Sequence, residues 1–206
     1  MSSAGALPFS AIVLAAGASS RLGMPKQLVR LEGEPLVSRA ARVANESGAR
    51  SVIVVTGASH EAVAEALGGA RVRLAHNTGW AEGPGTSIRA GIEALLADAS
   101  RPREEQAVLM LCDQPFVTPE HLRALVEQVT RGHPAAASDY GGEGGFGVPA
   151  AFAAEHLPEL LALSGHQGAK PVLMCHRARL ALVPFAEGLL DVDTPADLER
   201  LGLSRP

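Results

Sequence analysis

Two cations stand at the end of a loop of small residues near the start of this sequence. The apolar run Ala11–Leu14 passes directly into Ala, Gly and Ser residues, and the loop ends with Arg21 and Lys26. Small residues let backbone N–H groups approach a bulky anion, and the two cations supply charge to hold it. The pattern predicts a cradle for a nucleoside triphosphate. The alternative interpretation is a generic turn between a strand and a helix that carries incidental surface charges.

This loop differs from two familiar phosphate-binding loops. The sequence lacks Gly-x-x-x-x-Gly-Lys-Ser/Thr, so the loop is not a P-loop. The loop also lacks the Gly-x-Gly-x-x-Gly fingerprint that dinucleotide-binding domains carry between their first strand and the following helix. A nucleotide site here must therefore depend on the backbone of another kind of loop, with Arg21 and Lys26 as its charges.

Carboxylates follow apolar residues in two distant segments. Asp113 comes shortly after the run Leu109–Leu111, and Asp193 belongs to an acidic group with Asp191 and Asp197. Ligands of open parallel sheets bind beyond the carboxyl ends of the strands, so Asp113 and Asp193 are expected at that edge, with Asp191 on the same side as Asp193. Carboxylate oxygens are ligands that Mg²⁺ prefers, which predicts a Mg²⁺ site at Asp113 and Asp193. The alternative for Asp193 is a role in capping the following helix.

A third segment, Asn77–Ile88, is rich in glycine and opens a helix. Its glycines allow close approach to a base or a sugar, and Ser87 falls in the first helical turn, where N–H groups point outward. The alternative is a simple helix N-cap in a glycine-rich loop, with Trp80 as a partly buried anchor.

Apolar, β-branched runs alternate with segments of helical periodicity along the whole chain. This alternation indicates βαβ units, and it predicts a single-domain α/β protein over residues 1–206, with a mostly parallel twisted sheet, helices on both faces and a flexible N-terminus over residues 1–8. The predicted strands are Ala11–Leu14, Ser51–Thr56, Val72–Ala75, Ala107–Leu111 and Ala178–Val183. The predicted helices are Pro35–Ser47, Ser59–Leu67, Thr86–Ala97, Pro119–Arg131, Ala153–Leu163 and Thr194–Leu201.

Two of these helices begin at Thr-Pro pairs. Thr118 and Thr194 are predicted N-caps, because each precedes a proline that suits the first helical position. Both helices are therefore expected directly after strand ends that carry Asp113 and Asp193. The stretch Ser138–Pro149, which holds five glycines, interrupts the pattern and predicts either a mobile loop over the site or an irregular hairpin.

Histidine and cysteine give no metal or redox motif. His60, His121 and His156 lie in helical patterns and are expected in solvent, and no His-x-x-x-His or Cys/His cluster suggests zinc. Cys112 should point away from Asp113 and serve as a small core residue. Two cysteines in 206 residues do not suggest a disulfide framework.

The composition excludes several classes of partner. A net charge of −4 provides no global basic field for nucleic acid or an anionic membrane, so a phosphate site must be local. No apolar run approaches the ~20 residues that span a bilayer, and the first residues lack the pattern of a signal peptide. A soluble cytoplasmic protein with neither nucleic acid nor membrane as partner is expected.

Four segments together resemble the family of nucleotidyltransferases that includes molybdenum cofactor cytidylyltransferase and molybdenum cofactor guanylyltransferase, the MobA-like NTP transferases. The matching pieces are LAAGASSRLGMPK at 14–26, NTGWAEGPGTSIRAG at 77–91, LCDQP at 111–115 and DVDTPADL at 191–198. They follow the family's order and span nearly the whole chain. The cytidylyl branch is the closer, because two residues separate the loop Gly23 from Lys26.

The resemblance implies a Rossmann-like fold of the nucleotide-diphospho-sugar transferase type and a set of roles. It implies catalytic roles for Arg21, Lys26 and Asp113, with Arg21 and Lys26 on the triphosphate. It implies Mg²⁺ as cofactor, bound by Asp113 and Asp193. The residues implied at the nucleotide, besides Arg21 and Lys26, are Leu14, Ala15, Ala16 and Gly17 at the base and Asn77, Gly83 and Ser87 near the nucleoside.

The implied reaction is transfer of CMP from CTP to molybdopterin, with release of pyrophosphate. A family member of this type would meet a molybdoenzyme or its chaperone. The alternatives are a sibling that uses GTP or another phosphorylated acceptor, an oxidoreductase of the nicotine-pigment type, and a non-catalytic module that binds a nucleotide or a pterin.

The chain departs from the family on the acceptor side. Where the cytidylyl branch often shows Gly-x-Arg-Gly-His-Pro, this sequence has Phe146 and Val148 in place of the polar residues. Where the branch shows Gly-Asp-x-Gly-Ala-Arg, it has His166 and Lys170, and Lys gives up the bidentate grip of Arg on phosphate.

Overall fold

Nine strands and seven helices form within residues 7–142, 145–192 and 194–206, the residues described by this computed structural model. The strands are β1 (Phe9–Ala15), β2 (Arg30–Leu31), β3 (Glu34–Pro35), β4 (Val52–Thr56), β5 (Arg73–His76), β6 (Gln106–Leu111), β7 (Ala135–Gly141), β8 (Gly145–Phe152) and β9 (Ala181–Pro184). The helices are α1 (Leu36–Glu46), α2 (His60–Ala66), α3 (Pro84–Leu96), α4 (Pro119–Thr130), α5 (Leu157–Leu161), α6 (Lys170–Cys175) and α7 (Pro195–Leu201). Short 3-10 turns lie at Lys26–Leu28, Trp80–Glu82, Ala154–His156 and Ala186–Leu189.

Seven strands form one sheet in the order β5-β4-β1-β6-β8-β7-β9, and β2 pairs with β3 in a separate ribbon. The first four strands of this order are parallel, β8 is antiparallel to both of its neighbours, and β9 is parallel to β7. The chain leaves β1 toward β4 on one side and later returns to β6 on the other, so the switch point lies between β1 and β6. The predicted mostly parallel α/β sheet is confirmed.

Alternate residues of the central strands pack into two different cores. On β1, Ala11 and Val13 belong to a core covered by α1, α2 and α4, whereas Ile12 belongs to one covered by α3, α5 and α6. The predicted helices on both faces are therefore present. Strands buried on both faces read as continuous apolar runs, which explains why β1, β4 and β6 are evident from the sequence.

The glycine-rich stretch adopts the second of its two predicted forms, an irregular hairpin. β7 and β8 pair with register shifts after Ala137 and after Asp139. Neither strand is among the predicted ones, because Ala and Gly have low strand propensity and these two strands are held by neighbours in the sheet. Residues 143 and 144 of the stretch lie outside the described residues.

Two helical predictions are corrected. The segment Ala153–Leu163 divides into the turn Ala154–His156 and the short helix α5, because Pro158 suits a helix only in its first turn. α6 is missing from the predicted helices since it has only six residues. Residues 1–6 of the predicted N-terminal segment lie outside the described residues. Within the described ranges, no helix combines the length and apolar character needed to cross a bilayer.

His121 is buried, and the expectation that it lies in solvent is wrong. It is 9% exposed in the first turn of α4, where its ring stacks on Phe185 with 4.4 Å between centroids. Ser138 Oγ donates a hydrogen bond to the Pro149 carbonyl at 2.7 Å, so in the 2.7 Å contact with His121 Nε2 the imidazole is the donor. Burial lowers the pKa of His121 to about 4, although the charge of Glu187 opposes the shift.

Acidification is expected to destabilise the protein through His121. In the unfolded chain His121 takes up a proton near pH 6.5, whereas in the folded protein it does so only near pH 4. The contribution of neutral His121 to the free energy of unfolding is therefore fully present above pH 6.5 and is lost as the pH falls toward 4. Relative to His121→Asn, the wild type should lose about 2 kcal/mol of unfolding free energy over this range, measured by urea denaturation. His133→Asn, at a surface histidine that bonds to the Arg179 carbonyl, is the control and should keep the wild-type slope. Identical slopes for wild type and His121→Asn would contradict this account.

Candidate active site

A cleft of about 610 Å³ opens at the carboxyl ends of β1 and β6, at the switch point of the sheet. It is lined by Leu14, Ala16, Gly17, Ala18, Ser20, Arg21, Lys26, Trp80, Ala81, Gly83, Pro84, Ser87, Leu111, Asp113 and His166. The structure therefore gathers most of the predicted site residues in one place. Of the described ones, Ala15 and Asn77 are buried and do not line the cleft. Two hollows of similar volume lie elsewhere, around Leu7, away from the predicted residues.

The loop after β1 is held by hydrogen bonds to its carbonyl groups. Gln27 Nε2 donates to the carbonyls of Ala15 at 2.9 Å and Gly17 at 2.7 Å, and Ala58 N donates to the Ala16 carbonyl at 3.1 Å. Three consecutive carbonyl dipoles are thus satisfied by the protein itself. Because their negative ends already have donors, the loop can present its remaining backbone to an anion without carbonyl repulsion.

Lys26 and Asp113 meet in the cleft although they are 87 residues apart in sequence. Lys26 Nζ donates a hydrogen bond to Asp113 Oδ2, in an ion pair whose side chains are 21% and 5% exposed respectively. Lys26 begins the turn after the loop that follows β1, and Asp113 follows β6, the parallel neighbour of β1. Two adjacent parallel strands therefore place both charged side chains at the cleft. Arg21 lines the same cleft and is exposed.

The chemistry of these residues suits a hard divalent cation. Asp113 is the one carboxylate among the described residues that line the cleft, and it is 4% exposed. Mg²⁺ is commonly bound through one or two carboxylates while water and substrate phosphates complete its shell, which fits this arrangement. Asp193, the second predicted ligand, lies outside the described residues.

The N-terminal end of α3 forms one wall of the cleft. Gly83 adopts φ +124°, and a Cβ there would lie 2.4 Å from the Gly165 carbonyl oxygen, so only glycine fits. Ser87 is 7% exposed and faces the cleft. Asn77 Nδ2 donates to Thr86 Oγ1 at 2.9 Å and to Ser87 Oγ at 3.0 Å, so Asn77 positions the wall from behind.

The acidic segment near the C-terminus differs from its predicted form. β9 ends at Pro184, and the turn Ala186–Leu189 separates it from Asp191, so alternation along a strand does not apply there. The expectation that α7 directly follows an Asp-bearing strand end is therefore wrong. It also fails at Asp113, because α4 begins only at Pro119.

Both predicted threonine caps are confirmed. Thr118 Oγ1 accepts a hydrogen bond from His121 N at 3.2 Å. Thr194 forms a capping box with Asp197, whose Oδ2 accepts from Thr194 N at 2.8 Å. Asp197 is therefore a capping residue.

This acidic segment nevertheless reaches the side of the molecule where the cleft lies. Val192, which is 0% exposed, packs in one apolar cluster with Leu22 of the loop after β1. Burial raises the pKa of Tyr140, and the negative charges of Asp191 and Asp113 raise it further. Asp191 and Asp113 therefore both lie within electrostatic range of one phenol.

The sequence does not reveal every residue that shapes the cleft. Gln27 is fully buried and organises the loop, and a polar residue directly after Lys26 is the signal that could have identified it. His166 enters from the connection between α5 and α6, where only its departure from the family pattern draws attention. Trp80 is half-buried and packs against the apolar core, in agreement with its interpretation as a partly buried anchor. It also lines the cleft.

Replacing Gln27 by Met is expected to destabilise the loop. The variant keeps most of the side-chain volume but deprives the Ala15 and Gly17 carbonyls of their donor, which should lower the unfolding free energy by about 2 kcal/mol. Chemical denaturation measures this loss. Gln128→Met, on the half-exposed surface of α4, is the control and should stay within about 0.5 kcal/mol of wild type. A Gln27→Met variant as stable as the control would refute the role of Gln27.

These features define a class of protein, an α/β fold with a small-residue loop and a lysine–aspartate pair at the switch point of its sheet. A family profile described as the MobA-like NTP transferase domain matches residues 11–180. The chain belongs to the MobA-like NTP transferase family, and it is thus a member of a nucleotidyltransferase family.

Curated relatives share this sequence at moderate identity. A bifunctional protein GlmU from Caldanaerobacter subterraneus is 31% identical over 118 residues, which cover 56% of this chain and 24% of that protein. The nicotine blue oxidoreductase of Paenarthrobacter nicotinovorans is 35% identical over 105 residues, which cover 50% of this chain and 48% of that protein. The purine catabolism protein PucB of Bacillus subtilis is 28% identical over 202 residues, 91% of this chain and 93% of PucB. The chain thus spans half or less of the first two relatives and nearly all of the third.

Solved structures confirm the fold. Rv0371c from Mycobacterium tuberculosis H37Rv superimposes with a TM-score of 0.76 at 30% identity, covering 94% of this chain and 97% of that one. A nucleotidyl transferase from Methanothermobacter thermautotroptrophicus gives a TM-score of 0.77 at 25% identity, with coverage of 94% and 95%. Another structure of Rv0371c, with a TM-score of 0.71 at 27% identity and coverage of 94% and 97%, is a complex with manganese.

Proposed function

We propose that this protein is a Mg²⁺-dependent cytidylyltransferase that transfers CMP from CTP to molybdopterin and releases pyrophosphate. The observation that carries the proposal is the Lys26–Asp113 pair beneath the loop 14–26, because it joins a phosphate-binding charge to a cation-binding carboxylate in one cleft. Membership of the MobA-like family supports the reaction class. The LAAG sequence at 14–17 and the spacing from Gly23 to Lys26 favour CTP over GTP.

The reaction depends on the alignment of the reacting phosphates and on neutralisation of their charge more than on a general base. An oxygen of the acceptor phosphate attacks the α-phosphorus of CTP, and the bond from that phosphorus to the oxygen bridging toward the β-phosphate breaks. The electron pair leaves with pyrophosphate. Because a phosphate monoester is already anionic near neutral pH, no strong general base is required, and catalysis depends on alignment and neutralised charge.

Each group of the chain has a proposed part in this step. Lys26 stabilises negative charge on the α-phosphate, and Arg21 holds the departing pyrophosphate. The backbone of Leu14, Ala16 and Gly17 contacts the cytosine. Gly83 and Ser87 lie near the nucleoside, and Asn77 holds their wall in place.

Asp113, with Asp193, is the proposed holder of the divalent cation. When bound, such a cation would neutralise charge on the acceptor and α-phosphate oxygens. The manganese complex of Rv0371c supports the use of a divalent cation at this fold. We further propose that the reaction takes place in the cytoplasm, with a molybdoenzyme or its chaperone as the recipient of the product.

The test is a survey of nucleotides and acceptor. The purified protein is incubated with Mg²⁺ and each of the four ribonucleoside triphosphates, with and without molybdopterin, and pyrophosphate release is measured together with the mass of the product. Pyrophosphate with CTP and molybdopterin, and a product heavier by CMP, is the expected result. Release with GTP instead would assign the guanylyl reaction. Nucleotide binding without release of pyrophosphate under any condition would overturn the enzyme assignment.

One relative favours a second candidate. The match to nicotine blue oxidoreductase raises a reductase that acts on a small pigment. The loop that follows β1 lacks the Gly-x-Gly-x-x-Gly fingerprint of dinucleotide-binding folds, which weighs against this candidate. Oxidation of NADH by the purified protein in the presence of such a pigment, followed by absorbance, would support it, and an unchanged NADH spectrum would reject it.

A further inference from the structure

Three metal-ligating side chains converge outside the cleft, between α5 and α6. His156 Nδ1 lies 2.7 Å from Glu159 Oε1, and His176 Nε2 lies 2.9 Å from Glu159 Oε2. One ligand atom from each residue falls within 4.8 Å of the others. The two imidazole rings are tilted by 56° with their centroids 4.2 Å apart, and both rings bond to the same carboxylate.

This set of donors is selective for borderline transition metals. Two imidazole nitrogens and one carboxylate are the protein ligands of many zinc sites, whereas Mg²⁺ prefers oxygen ligands alone. In a tetrahedral zinc site neighbouring donor atoms stand about 3.3 Å apart. Glu159 Oε1 lies 2.7 Å from His156 Nδ1 and 3.0 Å from His176 Nε2, so both separations must widen when an ion enters. Glu159 is 39% exposed, which leaves room on the outer side for water as the fourth ligand.

The surroundings of His156 support ligation. While Nδ1 faces the cluster, Nε2 lies 3.3 Å from Glu155 Oε1. A carboxylate on the second ring nitrogen is the usual partner of a metal-bound histidine, because it fixes the tautomer and the ring orientation.

We propose that His156, Glu159 and His176 bind a single Zn²⁺ or a similar transition-metal ion, at a site distinct from the Mg²⁺ site proposed at Asp113. Its ligands come from the turn before α5, from α5 itself and from the residue after α6. The ion would join both ends of the segment 156–176.

This segment contributes a wall of the cleft. Gly165 accepts a hydrogen bond from Gly85 N at 3.0 Å, and Arg89 Nη2 donates to the Leu163 carbonyl at 2.7 Å. His166 in the same connection lines the cleft. A metal ion across the ends of the segment would therefore restrain the connection that carries His166.

The test measures metal binding by the whole chain without any nucleotide. Metal-free protein is titrated with Co²⁺, whose visible absorption bands report tetrahedral coordination, and with Zn²⁺ by calorimetry in excess Mg²⁺. We expect saturation at one ion per chain, no competition by Mg²⁺, and a higher melting temperature with Zn²⁺. Glu155→Gln should weaken binding about 10-fold, and His156→Ala, His176→Ala and Glu159→Gln at least about 100-fold.

Two controls separate this site from other histidines and from the cleft. His133→Ala removes a surface histidine outside the cluster, and Asp113→Asn removes the proposed Mg²⁺ ligand; both should bind Zn²⁺ as wild type does. Circular dichroism shows whether each variant is folded, and Glu159→Gln keeps the size of the side chain if a histidine variant fails to fold. Absence of saturable binding, or affinity unchanged in Glu159→Gln, would overturn the proposal. Since no substrate enters the assay, failure here is independent of the fate of the cytidylyltransferase proposal.

Discussion

Lys26→Ala is expected to lower kcat/KM for nucleotidyl transfer by about 10³-fold, while the protein remains folded. The position of the lysine at the cleft is fixed, because its ammonium group pairs with the buried Asp113. A charge held in place before the reaction stabilises the charge that develops in the transition state without reorganisation at that moment. Loss of this charge should therefore lower kcat more than it changes KM.

The measurement is steady-state pyrophosphate release at saturating Mg²⁺. Arg30→Ala is the matched control, because Arg30 is an exposed cation near the same loop that bonds to the Gly33 carbonyl outside the cleft, and it should keep the wild-type rate. Lys26→Arg keeps the charge but replaces a compact ammonium by a planar guanidinium, so we expect only partial recovery. A Lys26→Ala enzyme with the wild-type rate would refute the role of Lys26 whatever the nucleotide.

The part of the fold that carries the cleft is also the part that the sequence predicts best. β1, β4 and β6 are buried on both faces and each contains a run of at least four apolar residues, so the sequence pattern indicates these strands. Their alternation with helices indicates the parallel arrangement. β7 and β8 do not, because the first is rich in Ala and the second in Gly and their place depends on pairing across the sheet. α6 has too few residues to show a helical period.

The residues of the site also differ in whether the sequence predicts them, for the same physical reason. Lys26 and Asp113 are predictable at one edge of the sheet, because each follows a strand and parallel strands end at the same edge. That β1 and β6 are adjacent strands follows only from the structure. The role of Gln27 is not predictable, since it depends on where two backbone carbonyls point. The cluster at Glu159 shows the same limit. His156 stands three residues from Glu159, but His176 joins them only through the packing of α6.

Asp113→Asn is expected to lower kcat by about 10²-fold or more and to raise the Mg²⁺ concentration for half-maximal rate by at least about 10-fold. The amide keeps the shape of the side chain but removes the negative charge that a hard cation needs. It also removes the ion-pair partner of Lys26. A role of Asp113 in structure alone predicts a different outcome, namely a lower melting temperature with an unchanged Mg²⁺ titration.

A Mg²⁺ titration of the rate, together with thermal denaturation, distinguishes these two outcomes. Glu127→Gln, an exposed carboxylate on α4 that pairs with Arg131, is the control for loss of one negative charge and should leave the titration unchanged. The double variant Lys26→Ala/Asp113→Asn gives the decisive comparison, because two groups that act together in one step lose less rate together than the product of their separate losses. Strictly multiplicative losses would mean that the lysine and the aspartate act independently, and the proposed unit of ammonium, carboxylate and cation would have to be abandoned.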